Sequence, residues 1–160
     1  GAAVEVVGFA LALVFAGGAA GKLLCGLIAE RVGVIRTTIF TEIATGGLIL
    51  VLITLPLMPA LFLLPVFGVV LNGTSSVLYG TVGDFVDPDH QSRAFGLFYT
   101  LGIGTGALTP VVFGVLSDLS DLETTLTVLA ATLLASVPLC WLLRPSLAAV
   151  GVERAKVTFS

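Results

Sequence analysis

Charge is what this sequence has least of. Seven Lys and Arg and ten Asp and Glu are spread through 160 residues, 11% in all, where a soluble domain carries about 25%. A surface so poor in charge would aggregate in water but suits lipid. The seven cations are scattered, which excludes a nucleic-acid footprint. The net charge of −3 rests on too few groups to describe a partner. Cysteine is limited to Cys25 and Cys140, each alone within an apolar run. That spacing excludes a disulfide framework and a paired-cysteine metal site, and both read as inert, buried thiols. No nucleophile–base pair, paired catalytic carboxylates or metal-ligand cluster is present, so an enzyme, a cofactor and a metal all lack support. The start at Gly1 has neither an initiating Met nor a basic leader, so the first apolar run is not a signal peptide. A fragment of a longer chain is the expectation.

Apolar residues make up 57% of the chain and the mean hydropathy is +1.14. A hydrocarbon core of roughly 30 Å needs about 20 helical residues. Five segments reach that length, at about 6–28, 38–55, 61–82, 94–116 and 126–143. Turn chemistry separates them: Gly33, the Pro56–Pro59 pair, Asp87-Pro88-Asp89 and the Ser117–Asp121 run. None shows sustained alternation of period two, which argues against a membrane barrel. The expectation is an all-α, polytopic helical membrane protein, with one transmembrane bundle over 1–144 and a cytoplasmic tail over 145–160.

Orientation follows from the cations. With the Glu30–Arg36 hairpin in the cytoplasm, Arg31, Arg36, Arg93, Arg144, Arg154 and Lys156 all fall inside. Glu5, Asp118, Asp121 and Glu123 fall outside, and no Lys or Arg joins them. This satisfies the positive-inside rule and puts the C-terminus in the cytoplasm, in a cell membrane (plasma or inner). Lys22 lies about two turns inside the first span, where its stem can snorkel to the surface. Five spans leave the N-terminus outside, and one preceding span would restore an even number.

Glycine is plentiful, and its placement repeats. Shifted by 88 positions, Gly8 meets Gly96, Leu13 meets Leu101, Gly18 meets Gly106, Gly26 meets Gly114 and Glu30 meets Asp118. The two copies would face opposite sides, as in an inverted-topology repeat. Gly102, Gly106, Pro110 and Gly114 form one stripe on the fourth span, as Gly17, Gly21 and Cys25 do on the first. Between helices in lipid, such stripes permit close backbone approach. They serve either plain packing or contacts that rock.

The most informative stretch is Gly26-Leu-Ile-Ala-Glu30-Arg31-Val-Gly33, followed by Arg36. It resembles the loop signature G-x-L-A-D-R-x-G-R-K of the major facilitator superfamily, which joins helices two and three and recurs more weakly between eight and nine. Glu30 stands where the signature has Asp, and Val34 and Ile35 stand where it has two basic residues. That degeneracy is similar to the second copy. The region Asp84 to Asp118 also resembles the family's helices ten and eleven, with Arg93-Ala-Phe-Gly96, spaced glycines, Pro110 and Gly114-x-x-x-Asp118. Gly83-Asp84 replaces the family's Pro-Glu. The resemblance implies helices eight to twelve of the C-terminal bundle, and secondary active transport of a small molecule by alternating access with the missing N-terminal half. It also implies a cytoplasmic charge network of Glu30, Arg31, Arg36, Asp84 and Arg93. The glycine-rich fourth span is similar to an antiporter signature of the fifth helix, which points to proton-linked efflux. The rival class is a non-transport membrane scaffold or assembly protein built on the same helices.

Polar groups at mid-membrane are costly and are the default functional candidates. Asn72, Ser75, Ser76 and Tyr79 share one face of the third span and are candidates to line a substrate cavity, with Tyr99 on the fourth. Interhelical hydrogen bonding is the alternative role for that face. Glu42 lies about one turn inside the second span, as a proton carrier or, more simply, as a partner of Arg36 or a group at a water-filled edge. Conformational roles fall to Gly17, Gly21, Gly26, Gly102, Gly106, Pro110 and Gly114. His90, between Asp89 and Gln91, reads as a solvated loop residue.

Overall fold

The computed structural model describes residues 4–83 and 86–158, without the side chains of 76, 80–81 and 143–158. Asp84 therefore lies outside the described residues, as do the side chains of Ser76, Arg144, Arg154 and Lys156.

Five long helices account for almost all of the described chain: α1 Val4–Val32, α2 Val34–Thr54, α3 Leu57–Val82, α4 Gln91–Leu119 and α5 Leu122–Thr158. A 3-10 turn, Pro88–His90, leads into α4. All five are long and apolar enough to cross a membrane. Most run past the expected span limits, because helix propensity does not stop where the hydrocarbon does. At 1.5 Å per residue, the 29 residues of α1 extend about 44 Å, so its last turn, with Glu30 and Arg31, clears a 30 Å core. The segment expected as a tail is helical to Thr158; Ala148, Ala149, Glu153, Ala155 and Lys156 all favour that state.

The joints follow from local chemistry. Leu55 precedes Pro56, whose ring disfavours helical backbone in its neighbour; Leu55 is extended at φ −90° and α2 ends there. Asp121 caps α5 by accepting the Thr124 N–H at 2.7 Å and the Thr124 hydroxyl at 2.9 Å. These bonds hold the exposed Asp121 carboxyl below the usual carboxylate range.

Successive helices alternate in direction. One end of the bundle, the hairpin end, therefore carries the α1–α2 joint, the Pro88–His90 turn and Arg93. α1 lies along α3, α3 along α2, and α2 along α5, while α4 touches α3 and α5 only lightly. The packing inverts that of a water-soluble protein. Phe15, Phe62, Leu119 and Leu142 are more than two-thirds exposed, whereas Thr37, Thr38, Thr41, Thr45 and Thr74 are buried. Lipid is as apolar as leucine, so large side chains gain little by turning inward, and small residues take the interfaces. No residue of α4 is buried.

Candidate functional site

Gly33 forms the whole joint between α1 and α2. Its φ is 97° and its ψ 148°, a region open essentially to glycine alone. The Gly33 N–H donates to the Ala29 carbonyl at 2.9 Å, and the Gly33 carbonyl accepts from the Thr37 N–H at 3.1 Å and the Thr37 hydroxyl at 3.0 Å. Two helices thus reverse direction across one residue. Glu30, Arg31 and Arg36 project from this joint, exposed. Arg93 is exposed two residues into α4, at the same end. Among the described residues these four charges form no ion pair. The structure groups these four members of the expected network at one end without pairing them, and the fifth, Asp84, lies outside the described residues.

The α3–α4 connection is drawn together by Gln91, whose side-chain amide donates to the Gly83 carbonyl at 3.3 Å. His90 and Asp89 are exposed beside it.

The α1–α3 seam is the tightest in the molecule. A Cβ on Gly17 would fall on the Pro65 carbonyl, and one on Gly21 on the Val69 carbonyl. From the other side, Gly68 faces the Val14 carbonyl and Gly73 faces the Cys25 sulfur. Gly17 with Pro65, Gly21 with Val69 and Cys25 with Gly73 are each 48 positions apart, so the helices run parallel and in register. Asn72 belongs to this seam. It packs against Gly18 and donates to the Gly68 carbonyl at 3.3 Å. Ser75 donates back to the Asn72 carbonyl at 2.9 Å.

Hydroxyls line the other face of α3. The Thr74 hydroxyl donates to Thr41 Oγ1 at 2.7 Å, and Thr41 in turn donates within its own helix to the Thr38 carbonyl at 2.9 Å. The Thr38 and Thr45 hydroxyls are buried without a partner among the described residues. Beyond this stripe, α2 meets α5 where the Ser136 hydroxyl donates to Glu42 Oε2 at 3.2 Å. Of the two simpler settings expected for Glu42, the pair with Arg36 is not formed. The carboxylate turns to α5, while Arg36, six residues nearer the helix start, stays exposed at the surface.

Of the cavity candidates, Tyr79 and Tyr99 come together. Their rings stack at a 4.5 Å centroid separation and an 8° interplanar angle. Phe98 sets its ring edgewise to Tyr79 at 5.3 Å and 82°, a favoured aromatic geometry. Gly102 lies beneath, where a Cβ would stand 3.5 Å from the Tyr79 hydroxyl. Past this cluster α4 is bare: nothing lies within 4 Å of a Cβ placed on Gly106 or Gly114, and the same holds for Gly26 on α1. Pro110 lies inside α4 and has no N–H to give the Gly106 carbonyl one turn before it.

Sequence reasoning missed the threonine stripe, Ser136 and Phe98. The signal for the first was present, since Thr38, Thr41 and Thr45 recur at helical spacing. Among the described residues no His, Cys, Asp and Glu gather in a group able to hold a metal. The family model described as Major Facilitator Superfamily matches residues 1–157. No curated protein and no solved structure matches the chain.

Proposed function

The chain belongs to the Major Facilitator Superfamily, and from that premise we propose that it supplies the C-terminal bundle, helices eight to twelve, of a secondary active transporter working by alternating access. Membership implies an integral membrane transporter of small molecules, and the family is not enzymatic. The choice of half rests on the degenerate hairpin Gly26–Arg36 and on the Arg93 to Asp118 segment. The distribution of cations supports a cytoplasmic hairpin end and C-terminus, in a plasma or inner membrane.

The contrast between two seams carries this reading. α1 and α3 meet backbone to backbone and can only move together. Along its length α4 meets α3 through the Tyr79, Phe98 and Tyr99 rings, with Gln91 tying its start to Gly83, and its face at Gly106 and Gly114 is open among the described residues. A small-residue surface lets a helix change its crossing angle without dragging side chains past one another. In this scheme α4 rocks about the aromatic cluster while α1–α3 stays fixed. The exposed face of Tyr99 is a ligand contact, and the charges around Glu30 and Arg31 bias the two states. Glu42, the half-buried carboxylate of α2, is the residue available for proton coupling and hence for proton-linked efflux.

Paired spin labels in a protein lacking Cys25 and Cys140 test the motion. Labels on Phe15 and Phe62 should give one narrow distance under all conditions. Labels on Leu23 and Leu108 should give two populations whose ratio shifts with an imposed pH gradient. A single fixed distance for the second pair would remove α4 from the mechanism. Topology is tested by thiol labelling: cysteine at Ser92 should react from the cytoplasm and cysteine at Ser120 from outside, and the reverse pattern would overturn the orientation.

A further inference from the structure

A groove between α2 and α5 near the hairpin end has no part in the scheme above. It encloses about 360 Å³ and is lined by Ile35, Arg36, Ile39, Phe40, Ile43 and Trp141. Ile35, Ile39 and Ile43 follow one another at four-residue steps and make one apolar strip along α2. Phe40 is 67% exposed and Trp141 66% exposed, so the groove opens outward. Its volume equals that of roughly a dozen water-sized groups at ≈30 Å³ each, enough for a length of hydrocarbon chain. The walls offer such a chain mostly carbon, with the Trp141 indole and a single cation, Arg36, at the mouth.

Depth fixes the occupant. α2 and α5 run antiparallel, and Ser136 meets Glu42. Five residues further along α5, Trp141 stands level with the Arg36–Thr37 turn of α2. Arg36 is in the first turn of its helix, where the span leaves the hydrocarbon. Arginine and tryptophan at one depth are the groups that anchor to phosphate and to the ester region of a bilayer. Among the described residues Arg36 has no ion-pair partner, and a guanidinium is suited to bidentate pairing with a phosphate.

We propose that this groove is a binding site for an anionic phospholipid, with the headgroup phosphate on Arg36, the glycerol-ester region beside the Trp141 indole and an acyl chain along Ile35, Ile39 and Ile43. The occupant is a lipid rather than a free anion, because the apolar groove below the arginine has no use for a soluble phosphate. One arginine at a membrane surface gives about fivefold selectivity for an anionic over a zwitterionic lipid.

Trp141 is the one tryptophan of the chain and reports on its own groove. The protein is reconstituted into phosphatidylcholine vesicles carrying either brominated phosphatidylglycerol or brominated phosphatidylcholine. Bromine quenches Trp141 on contact, and brominated phosphatidylglycerol should reach half-quenching at about one-fifth the mole fraction. R36Q should erase the difference, whereas R93Q, which removes an equal charge elsewhere, should keep it. Ile39→Phe, which fills the groove, should weaken quenching by both lipids. Inorganic phosphate in the buffer should change nothing. Equal quenching by the two lipids, an unchanged preference in R36Q, or displacement by inorganic phosphate would each overturn the assignment.

Discussion

The Ser136 hydroxyl on α5 donates to the Glu42 carboxylate on α2 at 3.2 Å, and it is the one side-chain hydrogen bond joining those helices among the described residues. Ser136 also donates to the Leu133 carbonyl at 2.6 Å, so it has an alternative inside its own helix. Glu42 has none. Ser136→Ala should therefore lower the thermal midpoint in detergent by leaving a half-buried carboxylate without its donor. A hydrogen bond to a charged group is worth about 1.5–3 kcal/mol when buried, and partial exposure puts the expected loss toward or below the lower figure. An unchanged midpoint would mean that water serves Glu42 as well as Ser136 does.

Glycine substitutions should divide by helix. Gly21→Ala drives a methyl group into the Val69 carbonyl, which as backbone cannot step aside. Overpacking of this kind costs about 1–3 kcal/mol. Gly106→Ala meets nothing within 4 Å and should move stability by no more than about 0.5 kcal/mol. Unfolding midpoints of the two variants check the contrast. Flux measured in proteoliposomes with both halves of the transporter present adds the functional half: a rocking role for α4 predicts slowed transport in Gly106→Ala without loss of stability.

Gly33→Ala should be costly despite open space around the position. The obstacle is the backbone, at φ 97°, where strain in a residue with a side chain runs to about 1–3 kcal/mol. The expected result is a lowered midpoint, with wider separation of labels on α1 and α2 near the joint. A variant as stable as the parent would show that the joint can rearrange.

The start of α5 should respond to acid in one direction only. Thr124 holds the Asp121 carboxyl below its ordinary range, so the folded pKa lies below the unfolded value of about 3.9. The cap's contribution is complete above that unfolded value and fades as pH falls through the folded one. Amide hydrogen exchange at Thr124 and Thr125 should be flat near neutrality and accelerate in strong acid, after correction for intrinsic rates. Asp121→Ala should raise exchange at neutral pH and flatten the acid response.

The five helices and most of their ends were legible because length, hydropathy and turn chemistry act locally. Gly33 and Pro56 mark their joints for reasons visible in the residues beside them. Partner choice was not legible. Gly17-x-x-x-Gly21 on α1 and Gly102-x-x-x-Gly106 on α4 are the same pattern, yet one is a packed seam while the other has only the Tyr79 hydroxyl near Gly102 and nothing near Gly106. Glycine licenses close approach without naming what approaches. Asn72 shows the same gap, since its depth marked it as a cavity residue while its neighbour is Gly18, a residue too small to announce a contact. Tyr79 and Tyr99 were separate candidates in the sequence, and only the antiparallel register of α3 and α4 made them a pair.

The 48-residue interval between partners on the α1–α3 seam imposes a delay during synthesis. Translation adds about 5–20 residues per second, so α1 waits roughly 2–10 s after entering the bilayer before the matching turn of α3 has been made. Through that interval Gly17 and Gly21 face lipid, and the groove they form has no occupant of its own. The seam cannot close as the chain emerges; it closes only once two spans, inserted independently, find each other side by side in the membrane.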